Sequence, residues 1–176
     1  EMIREAFVTG EIMRLNKGYR STTEITAFAR SIRPNGEAEV MERHGEPPRI
    51  YRCKGTADEY GRIAALIGEF RESPHKSLGI ICKDEAQAQA LYDRFREENE
   101  DLFYLSHLST AYVNGIIVTS AHMAKGLEFD EVIVPHAGRK NYQTEIDRSM
   151  LYVAVTRAMH KLSLTSVGDL TELIGN

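Results

Sequence analysis

One short segment near the carboxyl end of the chain, Met150–Ala158, carries an arginine well placed for chemistry. Its apolar residues recur at helical spacing and predict a helix with one buried stripe. The members of that stripe are Met150, Leu151, Ala154, Val155 and Ala158. Arg157 lies at the edge of the stripe, one residue before the helix is expected to end. A guanidinium held beside a packed face is suited to bind a carboxylate or a phosphate. Taken alone, a salt bridge on the surface is the simpler explanation.

A second group of candidate residues is Tyr19-Arg20-Ser21, in a predicted loop between a short strand and a helix. The free N–H groups and the dipole at the start of a helix attract anions. Arg20 adds forked donors that suit a phosphate, and Tyr19 can stack on a flat base. A packed tyrosine and a surface arginine in a turn would give the same local pattern.

The third candidate is the polar segment Ser120–Asp130, between two predicted buried strands. Gly126 permits a backbone conformation that other residues avoid, so the main chain can approach a ligand closely. Glu128 can accept hydrogen bonds from ribose hydroxyls, His122 can contact a base or a phosphate, and Lys125 carries a mobile charge. A polar loop that only joins two strands is the alternative, but the density of functional side chains favours a site.

Strand-like and helix-like segments alternate along the chain, which predicts an α/β domain with a mostly parallel sheet. We expect helices at Thr22 to about Arg33, Thr56 to about Glu72, Asp84 to about Glu98 and around Arg157, with a capping box formed by Ser21 and Glu24. We expect strands at Glu11–Leu15, two between 37 and 53, and at Leu78–Cys82, Ile116–Thr119, Val132–Val134 and Leu162–Thr165. Ligands of such sheets gather at the carboxyl ends of the strands, where we place all three candidate groups.

Composition limits the classes of function that the chain can serve. Its 176 residues fit one domain, 1–176, and the net charge of −4 excludes a strongly basic nucleic-acid binder. No apolar run is long enough to cross a bilayer, so we expect no contact with a membrane. Cys53 and Cys82 follow no metal or redox spacing and are expected to be buried thiols in a cytoplasmic protein. We expect no metal site, and the start at Glu1-Met2-Ile3 suggests a piece of a longer chain.

Taken together, the three groups resemble the second RecA-like motor domain of superfamily 1 helicases of the UvrD/Rep type. Residues 15–22 resemble the family's motif IV, usually N-Y-R-S. Residues 120–129 resemble motif V, T-x-H-x-x-K-G-L-E-F, and residues 152–158 resemble motif VI, Y-V-A-x-T-R-A. Three motifs in the right order make a specific signal. The resemblance implies a RecA-like three-layer sandwich of the P-loop NTPase type, with a mostly parallel sheet.

The resemblance also implies roles in ATP binding and hydrolysis. Tyr19 would stack on adenine, Glu128 would bind the ribose, and Gly126 would shape the loop that faces the nucleotide. Arg20 and Arg157 would contact the γ-phosphate as the catalytic pair, with Arg157 as the arginine finger. Phosphoryl transfer needs positive charge where negative charge develops, and an arginine finger contributes about 10³–10⁵ in rate.

Contacts with single-stranded DNA are implied for Ser120, His122 and Lys125. Three positions depart from the family pattern: Gly18 replaces asparagine, Ser120 replaces threonine, and Ser149 replaces a common arginine. Only residues 99–115 are available where many members carry a large inserted domain. This compactness resembles the helicase IV/HelD branch.

No Walker A pattern, G-x-x-x-x-G-K-[ST], occurs in the 176 residues. We therefore expect half of an ATP site, with ATP and Mg²⁺ held mainly by an N-terminal RecA-like domain of the full-length chain and with little activity in this chain alone. The alternative is a non-catalytic RecA-like module that docks on RNA polymerase, a nuclease subunit or a repair factor. A nucleotide-binding enzyme of unrelated chemistry is a third possibility, which no Ser-His-Asp or Cys-His spacing supports.

Overall fold

Six strands form a single sheet in which every neighbouring pair is parallel. The computed structural model describes residues 21–34, 43–106 and 114–175. Within these residues the strands are β1 (Arg49–Cys53), β2 (Ser77–Cys82), β3 (Leu102–Tyr104), β4 (Gly115–Ser120), β5 (Phe129–Val134) and β6 (Ala158–Val167). Their order across the sheet is β1-β6-β5-β2-β4-β3. The predicted α/β class with a mostly parallel sheet is confirmed.

Helices cover both faces of this sheet. They are α1 (Thr23–Ile32), α2 (Thr56–Arg71), α3 (Glu85–Phe95, followed by a 3₁₀ turn at Arg96–Glu98), α4 (Ala121–Ala124) and α5 (Glu145–Val155). Helices α1, α4 and α5 pack on one face, and α2 and α3 pack on the other. The result is the three-layer sandwich that the family resemblance implies, in which each central strand is buried on both sides.

Alternate residues of the central strands enter two separate cores. In β2, Ile81 packs with α1, α4 and α5, whereas Ile80 packs with α2 and α3. The same alternation holds in β4 for Ile117 and Ile116. Because successive side chains of a strand point to opposite faces, continuous apolar runs such as Leu78–Cys82 are what a doubly covered sheet requires.

The start of α1 differs from the predicted capping box. Thr22, rather than Ser21, is the N-cap, and its side chain accepts a hydrogen bond from the main-chain N of Ile25 at 3.3 Å. Glu24 is turned away and accepts a bond from the main-chain N of Gly45 at 2.9 Å. The predicted capping box is wrong because both of its side chains bind residues distant in sequence, Ser21 the carbonyl of Ala158 and Glu24 the N–H of Gly45.

The helix expected to contain Arg157 ends two residues earlier, at Val155. Arg157 lies in the turn that leads into β6, and its main-chain oxygen accepts a bond from the N of Phe129 at 2.9 Å. The pairing of β5 with β6 therefore begins at this bond. Because the main chain of Arg157 takes part in it, the helix cannot continue for another turn.

Most of the remaining predictions are confirmed, some fall outside the described residues, and one strand was missed. The helices α2 and α3 and the strands β2 and β4 begin and end within about three residues of their predicted limits. Strand β3 was not predicted. The predicted strand Glu11–Leu15 lies outside the described residues, and of the two strands expected between 37 and 53 only β1 is described. Cys53 and Cys82 are buried free thiols. In the described part of the chain, no helix is long and apolar enough to span a bilayer.

Candidate nucleotide and nucleic-acid site

Arg157 is held in place by its main chain. It is half-buried between α5 and β6. Its N–H donates to the carbonyl of Ala154 at 3.2 Å, and its carbonyl accepts from the N–H of Phe129 at 2.9 Å. These two bonds connect the turn to a helix on one side and to the first residue of β5 on the other, so the base of the arginine side chain is fixed.

The guanidinium of Arg157 is also oriented by hydrogen bonds. Its Nη1 donates to the carbonyl of Leu127 at 3.1 Å, and its Nε donates to the carbonyl of Val153 at 3.2 Å. Its Nη2 donates to Oγ1 of Thr156 at 3.2 Å. All three acceptors are oxygens of the main chain or of a hydroxyl group, and these bonds fix the orientation of the guanidinium. A permanent, oriented cation of this kind can stabilise a phosphate.

The loop that contains Leu127, whose carbonyl accepts the bond from Arg157, also contains a glycine with the backbone conformation expected of it. Gly126 is exposed and adopts φ +84°, and a Cβ built there would meet nothing within 4 Å. The residue is therefore required for its backbone conformation and not for space. Glu128 is exposed two residues later, immediately before β5. Gly126 and Glu128 thus flank Leu127, the residue that holds the arginine.

The beginning of α1 contacts the same turn. The Oγ of Ser21 donates a hydrogen bond to the carbonyl of Ala158, 137 residues away in sequence. Ser21 follows Arg20 directly, and Ala158 follows Arg157 directly. Tyr19 and Arg20 themselves lie outside the described residues.

The candidate residues do not share one edge of the sheet. Ser120 and His122 lie at the carboxyl end of β4, whereas Gly126 and Glu128 precede β5 and Arg157 precedes β6, at the amino ends. Because β4 and β5 are both parallel to β2, residues 121–128 must cross from one edge to the other. The expectation that all these residues lie at the carboxyl ends is therefore wrong for Gly126, Glu128 and Arg157.

Two comparisons with known proteins identify the family of this chain. The family model of the UvrD-like helicase C-terminal domain matches residues 115–165, which include Gly126, Glu128 and Arg157. A solved structure, the C-terminal domain of a possible DNA helicase from Lactobacillus plantarum WCFS1, is 31% identical in sequence with a TM-score of 0.75. That match covers 89% of this chain and 91% of the other. The chain belongs to the UvrD-like helicase C-terminal domain family.

Two further comparisons give no additional support for this family assignment. The Arterivirus nonstructural protein 10 (helicase) is 11% identical with a TM-score of 0.44, over 68% of this chain and 28% of that one, and carries no weight here. A search of curated proteins found no match.

At the carboxyl edge of this UvrD-like domain, Ser120 and His122 are differently exposed. Ser120 is buried, and its Oγ caps α4 by accepting a bond from the N–H of Met123 at 3.3 Å. His122 and Lys125 are exposed. A ligand at this edge would therefore reach the imidazole of His122 before the hydroxyl of Ser120, and Lys125 lies on the segment that crosses towards the other edge.

The UvrD-like domain also contains a buried carboxylate that sequence reasoning missed. Glu59 on α2 is only 1% exposed and accepts bonds from the main-chain N of His136 at 2.9 Å and from Oγ1 of Thr165 at 2.6 Å. The Nδ1 of His136 lies 3.0 Å from the same carboxylate. Burial alone would raise the pKa of Glu59, but the bonds from His136 and Thr165 outweigh it and hold that pKa below its usual value.

This buried group borders a cavity of about 480 Å³ at the carboxyl edge. His136 lines the cavity with φ +58°, a left-handed conformation that is uncommon outside glycine. The signal that could have identified Glu59 is its position, four residues before the buried Ile63 on the same face of α2. Among the described residues, no three His, Cys, Asp or Glu side chains are grouped so as to hold a metal ion.

Proposed function

We propose that this domain is the second motor domain of an ATP-dependent DNA helicase or translocase, in which it completes an ATP site on a RecA-like domain that carries a Walker A loop. The observation that carries the proposal is the 3.1 Å bond from Nη1 of Arg157 to the carbonyl of Leu127. It joins the arginine to a loop 30 residues earlier in the sequence. Two segments that resemble separate helicase motifs therefore form one structural unit.

In this proposal Arg157 acts as the arginine finger. Its guanidinium is already oriented by neutral oxygens, so little reorganisation is needed when negative charge develops on a transferring phosphoryl group. Arg20 would contact the same γ-phosphate, because Ser21 ties the start of α1 to the residue after Arg157. Two cations directed at one phosphate are suited to both sensing and cleaving it.

The rest of the nucleotide would contact residues near these arginines. Glu128 is exposed and one residue beyond Leu127, where its carboxylate can accept bonds from ribose hydroxyls. The exposed left-handed turn at Gly126 leaves the adjoining main chain open to a ligand. Tyr19 would stack on adenine. Mg²⁺ and the group that activates water would belong to the Walker A-bearing domain.

Single-stranded DNA would bind the opposite edge of the sheet. His122 is exposed there and can contact a base or a phosphate, with the buried Ser120 two residues before it. Lys125, which would also contact the DNA, is exposed on the segment that leads away from this edge. Residues 121–128 link this edge to the ATP-facing edge. Closure of two domains on ATP would then shift the DNA contacts through this short connection. We assign the protein to the compact helicase IV/HelD-like branch and to the cytoplasm as part of the same proposal.

The test uses the complete motor protein, comprising this domain and its Walker A-bearing partner domain. Arg157→Ala is expected to lower kcat for DNA-stimulated ATP hydrolysis by about 10³-fold or more. Arg71→Ala is the matched control, since Arg71 is an exposed arginine paired with Asp101 at 2.6 Å. Its removal should leave kcat within about twofold, because a surface ion pair contributes little.

Two outcomes would contradict the proposal. Unchanged ATPase in Arg157→Ala would favour a docking module, particularly if binding of RNA polymerase or a nuclease subunit were retained. Substantial DNA-stimulated ATPase from the 176-residue chain alone would contradict the half-site proposal.

A further inference from the structure

Arg43 joins the same two segments that Ser21 and Ala158 join. Its carbonyl accepts a bond from the N–H of Thr23 at 2.9 Å, at the beginning of α1. Its Nη2 donates to the carbonyl of Met159 at 3.2 Å, and its Nη1 lies 2.9 Å from Nδ1 of His160, at the beginning of β6. One residue therefore connects the start of α1 to the strand that follows Arg157.

The bond between Arg43 and His160 requires a particular protonation state. An arginine only donates, so Nδ1 of His160 must accept and can carry no proton. A proton at Nδ1 would remove the acceptor and place a second positive charge beside the guanidinium. The connection between Arg43 and the imidazole therefore exists only while His160 is neutral.

Other charged and titratable groups also face His160. The ring of His75, from the segment before β2, stacks on it with centroids 5.0 Å apart and planes 6° apart. Asp130 of β5 places Oδ1 3.9 Å from Nε2 of His160, and Glu131 binds His75 at 2.7 Å. Burial, Arg43 and His75 lower the pKa of His160, in that order, and the opposing effect of Asp130 and Glu131 is smaller.

We propose that Arg43 and neutral His160 form a positioning pair, which fixes the start of α1 against the start of β6 and so sets the spacing between the segments that carry Arg20 and Arg157. Neither residue contacts the nucleotide in this proposal. The effect of the pair on catalysis rests on the proposed function, in which Arg20 and Arg157 contact the same phosphate. Protonation of His160 disconnects the pair and loosens that spacing.

Substitutions of Arg43 test the pair in the complete motor protein. Arg43→Ala is expected to lower kcat for ATP hydrolysis by about 10- to 100-fold with a smaller change in KM, since displacement of a catalytic group by about 1 Å can cost 10²-fold. Arg43→Lys keeps the charge but lacks the fork that reaches two acceptors, so it should not restore kcat. Circular dichroism and the unfolding midpoint check that both variants fold. A kcat within twofold of the parent protein in a folded Arg43→Ala would overturn the proposal.

Substitution of the histidine isolates its titration. His160→Asn places an amide oxygen near the position of Nδ1, accepts from Arg43 at every pH and cannot be protonated. The parent protein should lose kcat as the pH falls through the pKa of His160, below the usual value of about 6.5. His160→Asn should lose less over the same range, whereas His44→Asn, an exposed neighbour, should behave like the parent. If kcat fell equally at low pH in the parent and in His160→Asn, the result would contradict the proposed pair.

A measurement on the 176-residue chain separates this proposal from the proposed function. The His160 ring is titrated by NMR in the parent and in Arg43→Ala. Its pKa should rise in the variant, because the guanidinium that opposes protonation is gone. An unchanged pKa would refute the positioning pair whatever the ATPase shows, whereas a raised pKa with unchanged ATPase in Arg157→Ala would refute only the proposed function.

Discussion

Ser21 and Ala158, separated by 137 positions, are joined by a hydrogen bond from the serine hydroxyl to the alanine carbonyl. The bond places the residue after Arg20 against the residue after Arg157. No pattern local to either segment encodes this contact, since the serine hydroxyl was expected to cap its own helix. The start of α1 and the start of β6 therefore form one structural unit, which the proposed arginine site needs.

Ser21→Ala should weaken this unit. Loss of a partly buried hydrogen bond is expected to lower the free energy of unfolding by about 1 kcal/mol. The measurement is urea denaturation of the chain. Ser31→Ala is the matched control, because among the described residues the Ser31 hydroxyl bonds within its own helix, to the carbonyl of Phe28 at 2.6 Å. An equal or larger loss in Ser31→Ala would contradict the importance of the contact between segments.

Gly126→Ala should destabilise the protein although the site has room for a methyl group. The cost comes from φ +84°, which an alanine adopts only with strain of about 1–2 kcal/mol. Gly61→Ala provides the contrast, since Gly61 lies inside α2 with open space around it. That substitution should stabilise by about 0.5–1 kcal/mol. Thermal unfolding of the two variants gives opposite shifts in Tm, and a shift of the same sign in both would refute the conformational account.

Much of the fold follows from sequence periodicity alone. Continuous apolar runs such as Leu78–Cys82 predict buried parallel strands, and the spacing within Thr56–Arg71 predicts a helix. The orientation of that helix is less predictable. The spacing of Tyr60, Ile63, Ala64, Ile67 and Phe70 predicts that these residues share the buried face, but the structure buries Glu59 and leaves Ala64 exposed. A carboxylate is tolerated there because its partners come from distant parts of the chain, His136 from the loop after β5 and Thr165 from β6.

Residue types and spacing single out Gly126, Glu128 and Arg157 as candidates for a site. They do not give the edge of the sheet at which these residues lie, because that depends on where residues 121–128 cross it. The sequence does not point to Arg43, because its contacts with Met159 and His160 span 116 and 117 positions. Local patterns carry no information on such pairs.

Gly79→Ala should disturb the strand that follows Glu128. Gly79 lies in the middle of β2, and a Cβ there would come within 2.7 Å of the ring of Phe129. Forcing a methyl group into this contact is expected to cost about 1–3 kcal/mol. Combining Gly79→Ala with Phe129→Leu should recover part of that loss, because the leucine removes the ring.

The measurement for this pair is a double-mutant cycle of unfolding free energies. A coupling energy above about 0.5 kcal/mol is expected for residues in direct contact. Additive effects of the two substitutions would mean that the glycine is not needed to accommodate the ring.

Glu59→Gln should destabilise the protein at neutral pH by about 2 kcal/mol, since hydrogen bonds to a buried charged group are lost or weakened. The pKa of Glu59 is lower in the folded protein than in the unfolded chain, because His136 and Thr165 bind the ionised form. Its stabilisation is therefore present in full above the unfolded pKa of about 4.3 and is lost as the pH falls through the lower folded value.

Urea denaturation of the parent and of Glu59→Gln from pH 7 to pH 3 tests this expectation. The difference in unfolding free energy should be largest at neutral pH and shrink in acid, because protonation removes from the parent the charge that the variant already lacks. Glu69→Gln, on the same helix, is the control: Glu69 is exposed and lies 3.7 Å from Arg49, so the change should stay below about 1 kcal/mol. A pH-independent difference for Glu59→Gln would mean that shape, and not charge, holds α2 against β5 and β6.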